Sequence, residues 1–355
     1  MSAPAAKAMA VVRVGLVTAV GATAPSSCAA LRAKIGNPSE TRFTDASGQW
    51  ITAHQVQLEK PWRGLVKLAR MAALAIEEAL HPLPRSHWGR LPVLLCVAEP
   101  DRPGRIDALE ADLAVEIRRL LGVRFDEARS ATVAHGRVAL AVALNSARRL
   151  LAEHDCEQVL IVAADGLIGR HTLGAYEAGS RLLTGNNSNG FMPGEAAGAV
   201  LLGRADAAGG PQGRLLIAGL GFAREAAHIA SEAPLRGDGL TVAIRGALHE
   251  AGLAMHDFDC RIADVTGEHY YFKEASLALS RTLRGRKESF DLWHPAECTG
   301  EVGAASGVVM LAVAEAACAK GYAPGANILA HWSGDSGHRA AAALRWHPTG
   351  AAVSA

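Results

Sequence analysis

Charge imbalance, aromatic side chains and long uninterrupted apolar runs are all scarce in this 355-residue sequence. Its 36 basic and 35 acidic side chains leave a formal net charge of +1, which gives no electrostatic case for nucleic acid or a charged membrane as the main partner. Aromatics are 5% of a chain that is 50% hydrophobic, so much of the core has to be Ala, Val, Leu and Gly. That apolar content excludes a disordered chain. The most apolar stretch, 303–319, contains Glu315 and falls short of the roughly 20 residues that a membrane span needs. The apolar run near the start is cut by Arg13 and lacks a cleavage site, so no signal peptide is expected. Six cysteines (Cys28, Cys96, Cys156, Cys260, Cys298, Cys318) are scattered without CxxC spacing. They read as free thiols of a reducing, cytoplasmic compartment, not as zinc ligands or a disulfide framework, and no cofactor is called for.

What is present is an end-to-end alternation of apolar strands with amphipathic helices, the signal of an α/β fold. The pattern predicts strands at 11–17 and 91–98 and helices over 61–80 and 107–121. Two long loops are expected, 37–60 and 175–192, the second holding the turn-forming run TGNNSNG.

Two later segments match in pattern. Residues 135–151 form a helix of small and aliphatic residues, followed by a connector and a strand at 159–164 that ends at Asp165 and Gly166. About 170 residues later, 303–319 repeats the helix, followed by a strand at 327–330 and then Gly334 and Asp335. Helices apolar on nearly all faces are buried ones. Two at matching places suggest an internal duplication, with halves at 10–205 and 213–347 packed into one unit and the Gly-rich run 203–213 as the joint.

These residues resemble the thiolase-like superfamily, specifically the β-ketoacyl synthases. VVRVGLVTAVGATAPSSCAALRAKI is similar to that family's first strand, turn and helix. GFMPGEAAGAVLL, from Gly190 to Leu202, is the most specific match, to a Gly-Phe-x-Pro-Gly-Glu-Gly-Ala-Gly signature. The run 237–267 resembles the approach to the family's first histidine. SGDSGHRAAAAL resembles its closing glycine-rich turn, with Asp335 and Ser336 in place of the usual Phe-Gly. The resemblance covers nearly the whole chain. It implies a five-layered α-β-α-β-α fold of two pseudo-duplicated halves, usually dimeric.

It also implies a chemistry. A cysteine at the start of a buried helix accepts the acyl group, because the helix dipole lowers its pKa. Two histidines, or a His and an Asn, stabilise the oxyanion. Matched residue by residue, the cysteine motif falls on residues 130–134, placing Thr132 at the nucleophile. Thr266 stands for the first histidine, Gly300 for the second, and Pro295 for the usual lysine. All four positions have changed. Losing one oxyanion donor costs about 2.7–4 kcal/mol, and a dipole worth about 0.3–1 kcal/mol does not turn a threonine into a thiolate, so ketosynthase chemistry by the usual route is not expected.

Candidate replacements lie nearby. His135 lies three residues after Thr132, Cys298 beside the lost second histidine, and Glu268 and His269 just after Thr266. For each, the ordinary reading is a capped, buried or solvated side chain. Arg281, Arg284, Arg286 and Lys287 form a basic cluster, by default a solvated helix end, alternatively a dock for an acidic surface. The expected function is therefore that of a catalytically degenerate scaffold acting through protein contacts, with a homodimer implied. The N-terminal pattern, ETRFTDASGQWI and PWRGLVKL look most like the thiolase-like accessory proteins encoded beside type VI secretion effectors. The alternatives are a residual acyltransferase of the β-ketoacyl synthase type and a chain-length-factor-like partner of an active ketosynthase, with an acyl carrier protein as associate.

Overall fold

The computed structural model describes residues 8–153, 155–205 and 213–348. The first half runs β1 (Met9–Thr18), α1 (Ala24–Arg32), β2 (Ser39–Thr44), β3 (Trp50–Ala53), α2 (Gly64–Leu80), α3 (Arg85–Trp88), β4 (Val93–Val97), α4 (Leu109–Leu121), β5 (Ala131–Ala134), α5 (Ala139–Leu151), β6 (Gln158–Gly166), α6 (Arg170–Ala178) and β7 (Glu195–Arg204). The second runs β8 (Arg214–Arg224), α7 (Asp238–Ala251), β9 (Cys260–Ala263), α8 (His269–Thr282), β10 (Leu292–Trp293), α9 (Ala296–Thr299), α10 (Ser306–Ala319), β11 (Asn327–Ser333) and β12 (His338–His347).

Among the described residues, ten strands join in the order β10-β9-β11-β12-β8-β1-β7-β6-β4-β5. Counted outward from the centre, each half repeats one scheme. The first strand is antiparallel to the last, the last is antiparallel to the one before it, and the outer pairs are parallel. Among the described residues, the strands of the two halves pair at Met9–Ile217 and Ala10–Leu216 alone. A join that short leaves two sheets able to face each other across a helical layer.

That layer is α5 and α10. Both pack among strands of both halves, while α2 with α4, and α7 with α8, cover the outer faces. The result is the expected α-β-α-β-α stack. Small residues make it possible. Gly307 on α10 has Leu140 of α5 where a Cβ would stand, and Gly198 on β7 has Val308 there, so helix, helix and sheet approach to backbone distance. The inner cluster draws Leu16, Ile161 and Val200 from the first half and Ile217, Ile262 and Trp332 from the second. No helix of the described residues is long and apolar enough to cross a membrane.

The structure departs from the sequence reading in the loops. The segment 37–60 contains the hairpin β2–β3, closed by the Asp45 carboxylate accepting the Ser47 and Gln49 amides. Its strands are short and half-exposed, so their alternation is weak. Helix α2 begins at Gly64, three residues later than Pro61 suggested, because Gly64 has φ +53° and breaks the helical run. Helix α6 takes the start of the 175–192 loop. Of the glycine-rich joint, 206–212 lie outside the described residues.

Candidate functional site

Each buried helix is entered in the same way. After β5, His135 has φ −126°, ψ 15°, Gly136 turns left-handed at φ +51°, and one 3-10 turn leads into α5. Before α10, Val302 (φ −115°, ψ 17°) and Gly303 (φ +53°) repeat this. Both glycines are obligatory. A Cβ on Gly136 would stand 1.9 Å from Glu99 Oε2, and one on Gly303 would stand 2.1 Å from Asp165 Oδ2. A carboxylate fills the space beside each helix start.

Thr132 is not at this entrance. It lies inside β5, paired with Leu95 of β4, its hydroxyl donating to the Glu110 carbonyl at 3.4 Å. Parallel pairing with β4 runs on to Ala134, the last residue of the aligned motif, so the motif is strand and the helix start lies beyond it. The residues at the helix mouth are His135, Gly136 and Arg137, none of them a hydroxyl or thiol nucleophile.

The mouth opens on a cavity of about 390 Å³ lined by charge. Arg102 holds Glu99 through two bonds (3.1 and 2.7 Å) and Asp165 at 2.7 Å. Arg137, buried and stacked 4.1 Å above the Tyr271 ring, reaches Asp335 at 2.7 Å and Glu301 at 3.3 Å. Arg181 clamps Glu268 (2.7 and 2.9 Å) and also binds Asp335, which accepts the Tyr271 hydroxyl as well. Burial pushes the Asp335 carboxyl up, but Arg137 and Arg181 outweigh it and hold it well below the usual range. For Glu301 the balance reverses: burial wins over Arg137 and raises it.

The two histidine positions fare differently. Gly300, at φ +68°, has no room for a side chain, since a Cβ would meet the Met192 carbonyl at 2.6 Å and His54 at 3.0 Å. The residue that faces the cavity there is Glu301, fixed by backbone bonds to Met192 and Gly194. Thr266 and Gly300 do share a space, a void of about 10 Å³ beside Asp264 and Ser306, and the Thr266, Asp264 Oδ1 and Ser306 oxygens there lack partners. Burial raises the Asp264 carboxyl to about 7. Glu268 is locked to Arg181, and His269 is exposed at the start of α8, its amide donating to Asn189 at 2.8 Å. Cys298 is buried on α9 in the inner cluster, its thiol raised by burial and by Glu297. His135 is exposed at the cavity mouth, 6.2 Å from the His338 ring, whose Nδ1 meets Ser336 Oγ at 3.0 Å.

No family model and no curated protein matches the chain. Solved structures do. The ishigamide ketosynthase/chain length factor matches with TM-score 0.76 at 19% identity, over 96% of this chain and 99% of that one. The chain has the thiolase-like ketosynthase fold. The Xenorhabdus doucetiae ketosynthase ApeO in complex with its chain length factor ApeC gives TM-score 0.74 at 14% identity, covering 97% and 99%. The Streptomyces albus JA3453 oxazolomycin ketosynthase domain gives 0.75 at 16%, covering 98% of this chain and 77% of that one.

Against the family chemistry, this ketosynthase-fold cavity holds guanidiniums and carboxylates that already satisfy one another. Sequence reasoning missed Glu99, Arg102, Arg137, Asp165, Arg181 and Tyr271. The available signal was an arginine inside the apolar run AHGRVALAVAL and an aspartate inside the closing glycine turn. Charge in such places has to be paired.

Proposed function

We propose that this ketosynthase-fold protein is non-catalytic and acts by contact with a protein partner. The observation that carries this reading is the α5 entrance: the volume beside Gly136, where a nucleophile would project, is occupied by Glu99. Among the described residues, the charged lattice behind it pairs its guanidiniums with carboxylates and holds no thiol. On this reading the protein is a cytoplasmic homodimer. The partner most in keeping with the N-terminal pattern is a type VI secretion effector, which the protein would help fold or load.

A second reading is a chain-length-factor-like subunit of an active ketosynthase. Its support is that the matching solved structures include ketosynthases with chain length factors, and one acyl-carrier protein in complex with its ketosynthase. Residual acyl transfer is a third reading. It finds no support in the geometry around Thr132, His135 or Cys298.

Pull-down from the native host with mass spectrometry separates these. Enrichment of a toxin or spike protein supports the effector role, whereas a ketosynthase or acyl carrier protein supports the second reading. Acyl-thioester labelling of a single side chain in the purified protein, with turnover, overturns the non-catalytic proposal outright.

A further inference from the structure

On the other side of the β6 terminus from the charged lattice lies a separate cavity of about 580 Å³. Leu167 faces the first cavity, whereas Gly166 and Ile168 face this one. Its volume falls within the roughly 300–1,000 Å³ typical of small-molecule sites. Trp62, Phe43 and Ile168 supply apolar wall. Gln55, Gln57 and Thr41 add neutral polar groups, and cations outnumber carboxylates. Arg42, Lys60, Arg63 and Arg170 line the cavity, and among the described residues none has a carboxylate partner; Arg42 only stacks on Phe43 at 4.9 Å. Lys67 is neutralised by Glu195, leaving Glu59 as the carboxylate without a partner in this lining.

In a chain of near-zero net charge, four unpaired cations against the single unpaired Glu59, a net of three positive charges around one hollow, repel each other and attract a counter-charge. Two helices also start at its wall, α2 at Gly64 and α6 behind Gly169, neither with a side-chain cap, which adds partial positive charge from their free amides.

We infer that this cavity binds a small molecule bearing two or more negative charges, of phosphoryl or carboxylate type. The inference is independent of the reading above, since it uses none of the lattice residues.

Calorimetric titration of the full chain with pyrophosphate and with citrate, at low and high salt, tests it. Saturable binding that weakens with salt is expected, and the stronger of the two probes tells phosphoryl from carboxylate. The double variant Arg63→Glu/Arg170→Glu should lower affinity by roughly a hundredfold, about tenfold per site, while its melting temperature without ligand does not fall, because both side chains are exposed and the change relieves like-charge repulsion. Arg224→Gln, at the other cavity, should leave binding intact. Absence of saturable binding at millimolar probe, binding indifferent to the double variant, or binding of polyglutamate without either small anion overturns the inference.

Discussion

Asp335 is the residue through which Arg137, Arg181 and Tyr271 are held together. Asp335 is itself part-exposed, but removing it leaves the buried Arg137 uncompensated, a loss that typically costs about 3–5 kcal/mol for a fully buried pair and less here. Asp335→Ala is therefore expected to lose up to about 3 kcal/mol of unfolding free energy in urea titration; a loss within experimental error of zero would mean the lattice is ornamental. Its pH signature follows from the direction of the shift. A depressed carboxyl contributes stability above its unfolded value near 4, and loses it as pH falls below that. Asp264 has the opposite sign. Raised to about 7, it costs nothing below its unfolded value near 4, and the cost builds as pH climbs from there and levels off above 7. Asp264→Asn should therefore raise the melting temperature at pH 8 and do little at about pH 4, below the window between the two values; equal effects at both would refute the assignment. The six thiols are all buried and shifted up, Cys28, Cys260 and Cys318 to about 12. The native protein should thus resist iodoacetamide at pH 8 until it is unfolded. The departures from the family motifs were legible in Thr266 and Gly300. The charged lattice was not, because Arg137, Arg181 and Asp335 come from segments far apart in sequence and pair only in space.

At the scale of elements, the apolar helices were legible because burial on all faces leaves a compositional trace, Ala, Gly and Val without alternation. Their entrances were not. A glycine in an apolar run reads as packing, and only the structure reveals that Gly136 and Gly303 combine left-handed backbone with a carboxylate in the Cβ position. Gly136→Ala should lose about 2–4 kcal/mol, from backbone strain of about 1–2 kcal/mol plus displacement of Glu99. Pairing it with Glu99→Ala should recover the steric part alone. Circular dichroism and urea titration of both variants measure this, and additive losses in the double variant would place the cost elsewhere. The basic run near α8 is likewise explained locally: Arg281 binds Asp238 and the Arg236 carbonyl, and Lys287 donates to the Phe258 and His256 carbonyls. Those two cations are half-buried and serve the fold, whereas Arg284 and Arg286 are exposed.

At the scale of the molecule, the strand order of one half recurs in the other, yet they share a single inner layer. Neither sheet can expose α5 and α10 to water without exposing much of the inner core, since the same cluster joins Leu140 and Ile161 to Val308 and Trp332. A chain of this length often unfolds half by half. Here the shared layer argues for one cooperative transition. The probes exist already: Trp88 is buried in the outer core of the first half and Trp332 in the inner core beside the second sheet. With the remaining tryptophans replaced by phenylalanine in two single-tryptophan variants, urea titrations should superimpose. Leu140→Ala, which empties the contact opposite Gly307, should destabilise by about 2–5 kcal/mol and move both curves together. Separate midpoints, or a shift at Trp88 alone, would mean that the halves are independent domains pressed together, and that a partner could bind by prising them apart.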